Sequence, residues 1–240
     1  MYKYFPTTKE ELVEIIKAEV KKNGWECSLN HIDVSRITDM SSLFSGFEGY
    51  YLGNFNGDIS RWDVSNVTNM KKMFSYAISF NQPIGEWDVS NVENMKGMFE
   101  GAKSFNQPIG EWDVSNNTSM EYMFGGAESF NQPIGGWDVS NVKFMNSMFW
   151  CAKLFDQPIG DWDVSNVTNM AEMFCSAKSF NQPIDDWDVS NVRNMFRMFY
   201  GAESFNQDLS KWKLKYCSAY DIFDDCPIKE EYKPDLLRKI

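Results

Sequence analysis

From Ile84 to Phe105 the apolar positions change period once. Trp87 and Val89 flank Asp88 in strict alternation, the signature of a strand with one face buried. Ser90 follows as a helix N-cap, and Glu93 three residues on completes a capping box. Val92, Met95, Met98, Phe99 and Ala102 then step by three and four, which predicts one face of a helix of two to three turns. Phe105-Asn106-Gln107-Pro108 turns the chain back, and Ile109 leads into the next strand. Short strand, short helix and return loop form the predicted unit.

The unit recurs. Trp62, Trp87, Trp112, Trp137, Trp162, Trp187 and Trp212 stand 25 residues apart, and a fixed period decides the architecture before any other reading. Counted from its Trp the unit reads W-D-V-S-N-V-x-N-M-x-x-M-F-x-x-A-x-S-F-N-Q-P-I-G-x. A degenerate first unit begins at Ile32, with Asp33-Val34-Ser35 in register, and carries a five-residue insertion around Phe47, Tyr50 and Tyr51. The last unit decays after Cys217, with Ile222-Phe223 one residue early. One unit cannot bury its apolar face alone, so neighbours must stack, with their strands in a parallel sheet about 4.8 Å apart. The expected fold class is therefore an α/β repeat, a solenoid with one short parallel strand and one short helix per unit. Residues 1–31 form an N-terminal capping helix and entry segment, 32–211 seven units, and 212–240 a degenerate terminal unit and cap. Thr8 and Glu11 cap the first helix, Leu12, Ile15, Ile16 and Val20 line its buried face, and Gly24 stops it.

The inward columns are Trp, Val, Val, Met, Met-Phe, Ala, Phe and Ile. Asn117 breaks one of them, standing where other units have Val; a buried Asn costs stability unless it is hydrogen-bonded. The unit starting at Trp112 is therefore expected to be the weakest.

Composition narrows the function. The chain has 240 residues, 16% aromatic, a net charge of −11, five Cys and one His. The aromatic content excludes disorder, and no apolar run approaches the roughly 20 residues of a membrane span. The acidic balance argues against nucleic acid and anionic lipid surfaces. An odd Cys count without paired spacing fits reduced thiols. One His removes catalytic His pairs and His-based zinc sites, and no motif assembles a base, nucleophile and oxyanion donors. The expectation is a monomeric, non-catalytic protein-binding solenoid, a scaffold or adhesin-like module, without cofactor or metal. Its partner would be a protein, with no nucleic acid and no membrane insertion. The N-terminal stretch shows no signal peptide, from which a cytoplasmic location is expected.

Two surfaces stand out. Asp63, Asp88, Asp113, Asp138, Asp163 and Asp188 form an outward column, which reads as solvated Asx turns or, alternatively, as a divalent-cation ladder. With Glu86, Glu111, Asp161 and Asp186 it makes an acidic face suited to basic partners. The second surface is a group of off-pattern aromatics on the helix side: Phe144, Trp150, Phe196 and Tyr200, with Arg193 and Arg197 beside them. Aromatic and Arg anchors carry most interface energy, so this patch is the expected protein-binding site, with the insertion at Phe47, Tyr50 and Tyr51 as a further candidate.

The run Phe80-Asn81-Gln82-Pro83-Ile84-Gly85-Glu86-Trp87-Asp88-Val89-Ser90-Asn91-Val92 resembles the BspA-like leucine-rich-repeat surface proteins, in the 25-residue branch found in mycoplasma lipoproteins. Leu29-Asn30-His31-Ile32-Asp33-Val34-Ser35 with Thr38-Asp39-Met40 resembles the segment that precedes those repeats. The match spans about residues 7 to 226. It implies a leucine-rich-repeat-like right-handed solenoid and, for some members, adhesion at the cell surface; it implies no catalytic residues.

Overall fold

The computed structural model describes residues 2–46 and 52–237. The insertion residues Phe47, Tyr50 and Tyr51 lie outside the described residues.

Each 25-residue unit forms one coil, and successive coils lie on one another, but the coil contains neither of the predicted elements. Among the described residues there is one α-helix, α1 (Lys9–Asn23), and two single-turn 3-10 helices, Glu230–Tyr232 and Asp235–Leu237. Among the same residues, β-pairing is confined to isolated parallel bridges such as Phe144 to Asn169 and Asn169 to Asn194. Within the units they fall at the position before the first Met, Asn in four of them, and not on the Trp-Asp-Val segment. The expected α/β repeat of strand plus helix, leucine-rich-repeat-like in form, is therefore incorrect.

The reason lies in the backbone. Val92 N–H bonds to Val89 O at 2.9 Å, Met98 to Met95 at 3.0 Å, Ala102 to Phe99 at 3.0 Å and Phe105 to Ala102 at 3.1 Å. These are i to i+3 closures of consecutive β-turns. They place every third residue inside, so a chain of turns reproduces the three-and-four spacing that signals a helix. Between the closures stand left-handed residues. Lys72, Tyr122, Ser147, Glu172 and Arg197 have φ of 51 to 56°, and Gly97 holds the same column at 62°. A right-handed helix cannot pass through a left-handed residue.

The left-handed residues have a second consequence. They turn alternate peptide planes the same way, so that one row of N–H groups faces the next unit. Met170, Glu172, Phe174 and Ser176 N–H donate to Asn194, Phe196, Met198 and Tyr200 O at 2.7 to 2.9 Å. The same four-rung ladder joins Met145–Cys151 to the unit above it, and Met195–Gly201 to the one above that. The intervening N–H groups close the turns, so the segment satisfies its backbone without a helix.

Side chains join the units on the other sides. The seven Trp of the 25-residue column, Trp62 to Trp212, are buried, and each donates its Nε1–H to a carbonyl one coil back, as Trp137 does to Ile109 O at 3.1 Å. Asn81, Asn106, Asn131 and Asn181 each accept, through Oδ1, the N–H of the residue 25 positions on, at 2.9 Å. Asp156 does the same with its own Oδ1. Inside, Phe74, Phe99, Phe124, Phe149, Phe174 and Phe199 stack 5.6 to 5.8 Å apart, each also stacked on the second Phe of its unit.

α1 covers the first coil. Thr8 Oγ1 accepts the Glu11 N–H at 3.2 Å, and Leu12, Ile16 and Val20 are buried. Gly24 ends the helix with φ of 86°, its N–H bonded to Val20 O. Glu19, also buried, accepts from Lys3 Nζ, Tyr4 OH and Asn23 Nδ2 at 2.7 to 3.0 Å, and His31 Nε2 lies 3.3 Å from it.

Candidate binding surface

The strip begins with burial. Trp87 and Val89 point inward, which forces Asp88 between them outward, and the same holds in the units from Trp62 to Trp187. Each of the six Asp residues accepts the backbone N–H of the Ser two residues on at 3.0 to 3.1 Å. These are Asx turns. The hydrogen bonds from Ser90, Ser140 and Ser190, side chain first and backbone second, hold the carboxyls of Asp88, Asp138 and Asp188 below the usual range. One oxygen of each is engaged in the turn, and the side chain as a whole is exposed.

Glu86, Glu111, Asp161 and Asp186 precede the Trp residues and are also exposed, so ten carboxylates share this side of the stack. Arg61 and Lys211 occupy the same column at its two ends. Lys211 is engaged, with Nζ 2.6 Å from Asp185 and 3.4 Å from Asp186. Beside Glu86 and Glu111 runs a groove of about 450 Å³ whose floor is Pro83, Gly85, Pro108, Gly110, Pro133 and Gly135. Glycine is required in that floor: a Cβ on Gly110 would sit 2.4 Å from Pro133 O of the next unit. Gly136 takes the place of an acid and leaves open space at the groove's end.

The ladder side differs. The sequence gathers lysines there, but carboxylates of neighbouring units meet them: Lys96 with Glu121 at 2.9 Å, Lys103 and Lys153 with Glu128 at 3.1 and 2.6 Å, Lys178 with Glu203 at 2.6 Å. That side is therefore close to electrically balanced, while the strip is not.

The aromatic patch is divided. Arg197 lies between Phe196 and Tyr200, 4.9 and 5.1 Å from their ring centres, and reaches Asp221 at 3.4 Å. Turn geometry rather than a helix row brings this trio together. Arg193 folds back onto Ser190 O and Val192 O at 3.0 and 3.3 Å. Both arginines are thus engaged within the chain. Phe144 and Trp150 remain exposed at 42% and 37%, and no ring contact joins them to Phe196 or Tyr200 among the described residues. Leu154, 55% exposed, lies in the same unit and was not among the expected residues. Its signal was present in the sequence, since Leu154 interrupts a column of Ser79, Ser104, Ser129, Ser179 and Ser204.

Cys151, Cys175, Cys217 and Cys226 carry free thiols that burial pushes upward in pKa, Cys226 to about 11. Such thiols are poor nucleophiles. Among the described residues no group of three or more His, Cys, Asp or Glu is placed to hold a metal ion. No helix among them is long and apolar enough to cross a membrane.

Comparison with curated proteins finds no match, and neither does comparison with solved structures. The family model described as "Mycoplasma protein of unknown function, DUF285" matches residues 14–137 and 118–231. Those two overlapping regions take in most of the chain, which therefore belongs to the DUF285 family.

Proposed function

We propose that this chain is a non-catalytic protein-binding module of the BspA-like type, and that its acidic strip receives a partner with a basic surface. The observation that carries this reading is the contrast between the two sides. Lysines on the ladder side meet carboxylates of adjacent units. On the strip, among the described residues, the ion pairs are those of Lys211 with Asp185 and Asp186 at one end. A one-signed surface beside a groove favours partners of opposite sign and speeds their encounter. The 25-residue motif supports the BspA-like reading. By the same resemblance, cell-surface adhesion is the biological setting proposed.

The test is a titration with an oligolysine peptide, followed by calorimetry at low and physiological salt. Asp113→Asn with Asp138→Asn keeps both Asx turns and removes two strip charges. The expected result is at least a tenfold loss of affinity, about 1.4 kcal/mol. Glu10→Gln with Glu14→Gln makes the same change in net charge away from the strip and is expected to bind nearly as wild type. Equal binding by the two double variants would defeat the assignment.

A second reading rests on Phe144, Trp150 and Leu154, three exposed apolar side chains in one unit. If a protein partner is held there, Trp150→Ser with Leu154→Ser weakens capture tenfold while the strip variants leave it unchanged.

A further inference from the structure

The ladder that joins the units has a direction. Beside one bond of opposite sense that precedes them, as from Arg193 N–H to Thr168 O, the rungs all run one way: their carbonyls point toward α1 and their N–H groups toward the C-terminal coil, as in Met195, Arg197, Phe199 and Gly201 donating to Ser218, Tyr220, Ile222 and Asp224. Ordinary strands alternate their peptide dipoles, whereas dipoles aligned head to tail accumulate partial positive charge at the N–H end. The last coil has the same arrangement. Its Asp221 and Asp225 are left-handed, with φ of 54 and 55°, in the columns of Arg197 and Gly201. Its outward N–H groups are those of Ala219, Asp221, Phe223 and Asp225, and none of the four bonds to an acceptor among the described residues. The two 3-10 turns that follow make their backbone bonds elsewhere, Leu209 N–H to Tyr232 O and Lys229 N–H to Asn206 Oδ1, while Lys233 between them sets its Nζ 5.9 Å from the Phe223 ring centre.

We infer that this row of four N–H groups is a docking edge for an extended, basic segment of a partner polypeptide, which supplies backbone carbonyls as a further coil would. This surface is separate from the acidic strip and does not rest on it.

Three observations select that occupant. A second copy is unsuitable at either end: two C-terminal edges would set donors against donors, and the first coil is covered by α1 through Leu12, Ile16 and Val20, with Lys9 Nζ on Ser41 Oγ at 2.7 Å. A free anion would suit bare N–H groups, but Asp224 and Asp225 stand exposed on the same edge and Asp221 adds a third carboxylate. Neutral carbonyls flanked by cationic side chains satisfy both features. Tyr216 and Tyr220, 81% and 76% exposed, lie on this coil and offer apolar area to such a segment. Addition of a strand to an exposed edge is an established mode of peptide recognition, with main-chain bonds giving affinity and side chains giving selectivity.

The experiment uses the full chain and a blocked synthetic peptide copying residues 67–77, Val-Thr-Asn-Met-Lys-Lys-Met-Phe-Ser-Tyr-Ala. In the protein, that segment presents Asn69, Lys71, Met73 and Ser75 carbonyls to the coil before it. Amide exchange is followed by NMR with and without saturating peptide. The expected result is at least tenfold slower exchange at Ala219, Asp221, Phe223 and Asp225, with amides on the acidic strip unchanged. Tyr216→Ser with Tyr220→Ser is expected to weaken the peptide about tenfold while the thermal transition stays cooperative. Protection confined to the strip, no binding at millimolar peptide, or equal protection by inorganic phosphate alone would each overturn the proposal.

Discussion

Asn117→Val should stabilise the protein, and the structure sets the size of the gain. Asn117 is fully buried in a column that is Val in the other units from Trp62 to Trp187. Its Nδ2 donates to Val92 O at 3.0 Å, but its Oδ1 is buried with no partner. The junction is disturbed around it. Elsewhere Lys143 N–H reaches Thr118 O and Met145 N–H reaches Asn169 O; here Thr118 N–H does not reach Glu93 O, and Met95 N–H does not reach Ser119 O. Removing an unsatisfied buried acceptor recovers about 1 to 3 kcal/mol, and each regained backbone bond adds about 0.5 to 1.5 kcal/mol, against one similar bond lost. The net expectation is a gain of about 1.5 to 4.5 kcal/mol by the same magnitudes. Denaturant unfolding measures the total. Because repeat arrays depart from two-state behaviour, amide exchange supplies the local readout. Met95 and Thr118 should exchange at least tenfold more slowly in the variant. An unchanged midpoint together with unchanged exchange at those two amides would refute the argument.

Trp137→Ala should cost about 3 to 5 kcal/mol, since it opens a large cavity and leaves Ile109 O without its indole donor; unfolding and exchange should show the loss in that unit and its neighbours. Asn131→Ala should cost about 1 to 2 kcal/mol in thermal unfolding, whereas Asn131→Asp should be nearly neutral, because Asp156 already fills the same role with a carboxylate. The Glu19 carboxyl is held below its usual range chiefly by the Tyr4 hydroxyl, with Lys3 adding to it against the opposing effect of burial. A lowered folded pKa means that this contribution is present above the unfolded value near 4.3 and is lost as pH falls through the folded one. The difference in melting temperature between wild type and Glu19→Gln should therefore narrow on acidification from neutral pH, and a constant difference would count against the assignment.

What the sequence made legible was what depends on side-chain type at fixed spacing. The 25-residue period, the buried Trp and Phe columns and the outward Asp follow from residue identity alone, and α1 is signalled by its local caps. The repeat's backbone was not legible, because consecutive turns and a helix bury the same positions. Val92, Met95, Met98, Phe99 and Ala102 satisfy both. The sign of φ decides between them, and residues as different as Lys72, Tyr122, Ser147 and Glu172 share the left-handed column. Gly97 and Gly101 were the available hint, since two glycines four apart disfavour a helix interior. At the candidate site, the sequence grouped Arg197 with Phe196 and Tyr200, but the sandwich they form was not legible because its geometry comes from a turn. The docking edge was invisible to sequence reading because it consists of backbone N–H groups.

The central claim is that the units are coils of turns joined by a one-directional ladder, and the most direct test is the sign of φ at Tyr122, Ser147 and Glu172. In solution, the intraresidue amide-to-Hα NOE together with backbone chemical shifts separates left-handed residues from helical ones. The account predicts left-handed φ at all three, with the amides of Tyr122, Ser147 and Glu172 hydrogen-bonded to Asn146, Ala171 and Phe196 carbonyls. Negative, helical φ at these residues, with their amides bonded four residues back, would contradict it.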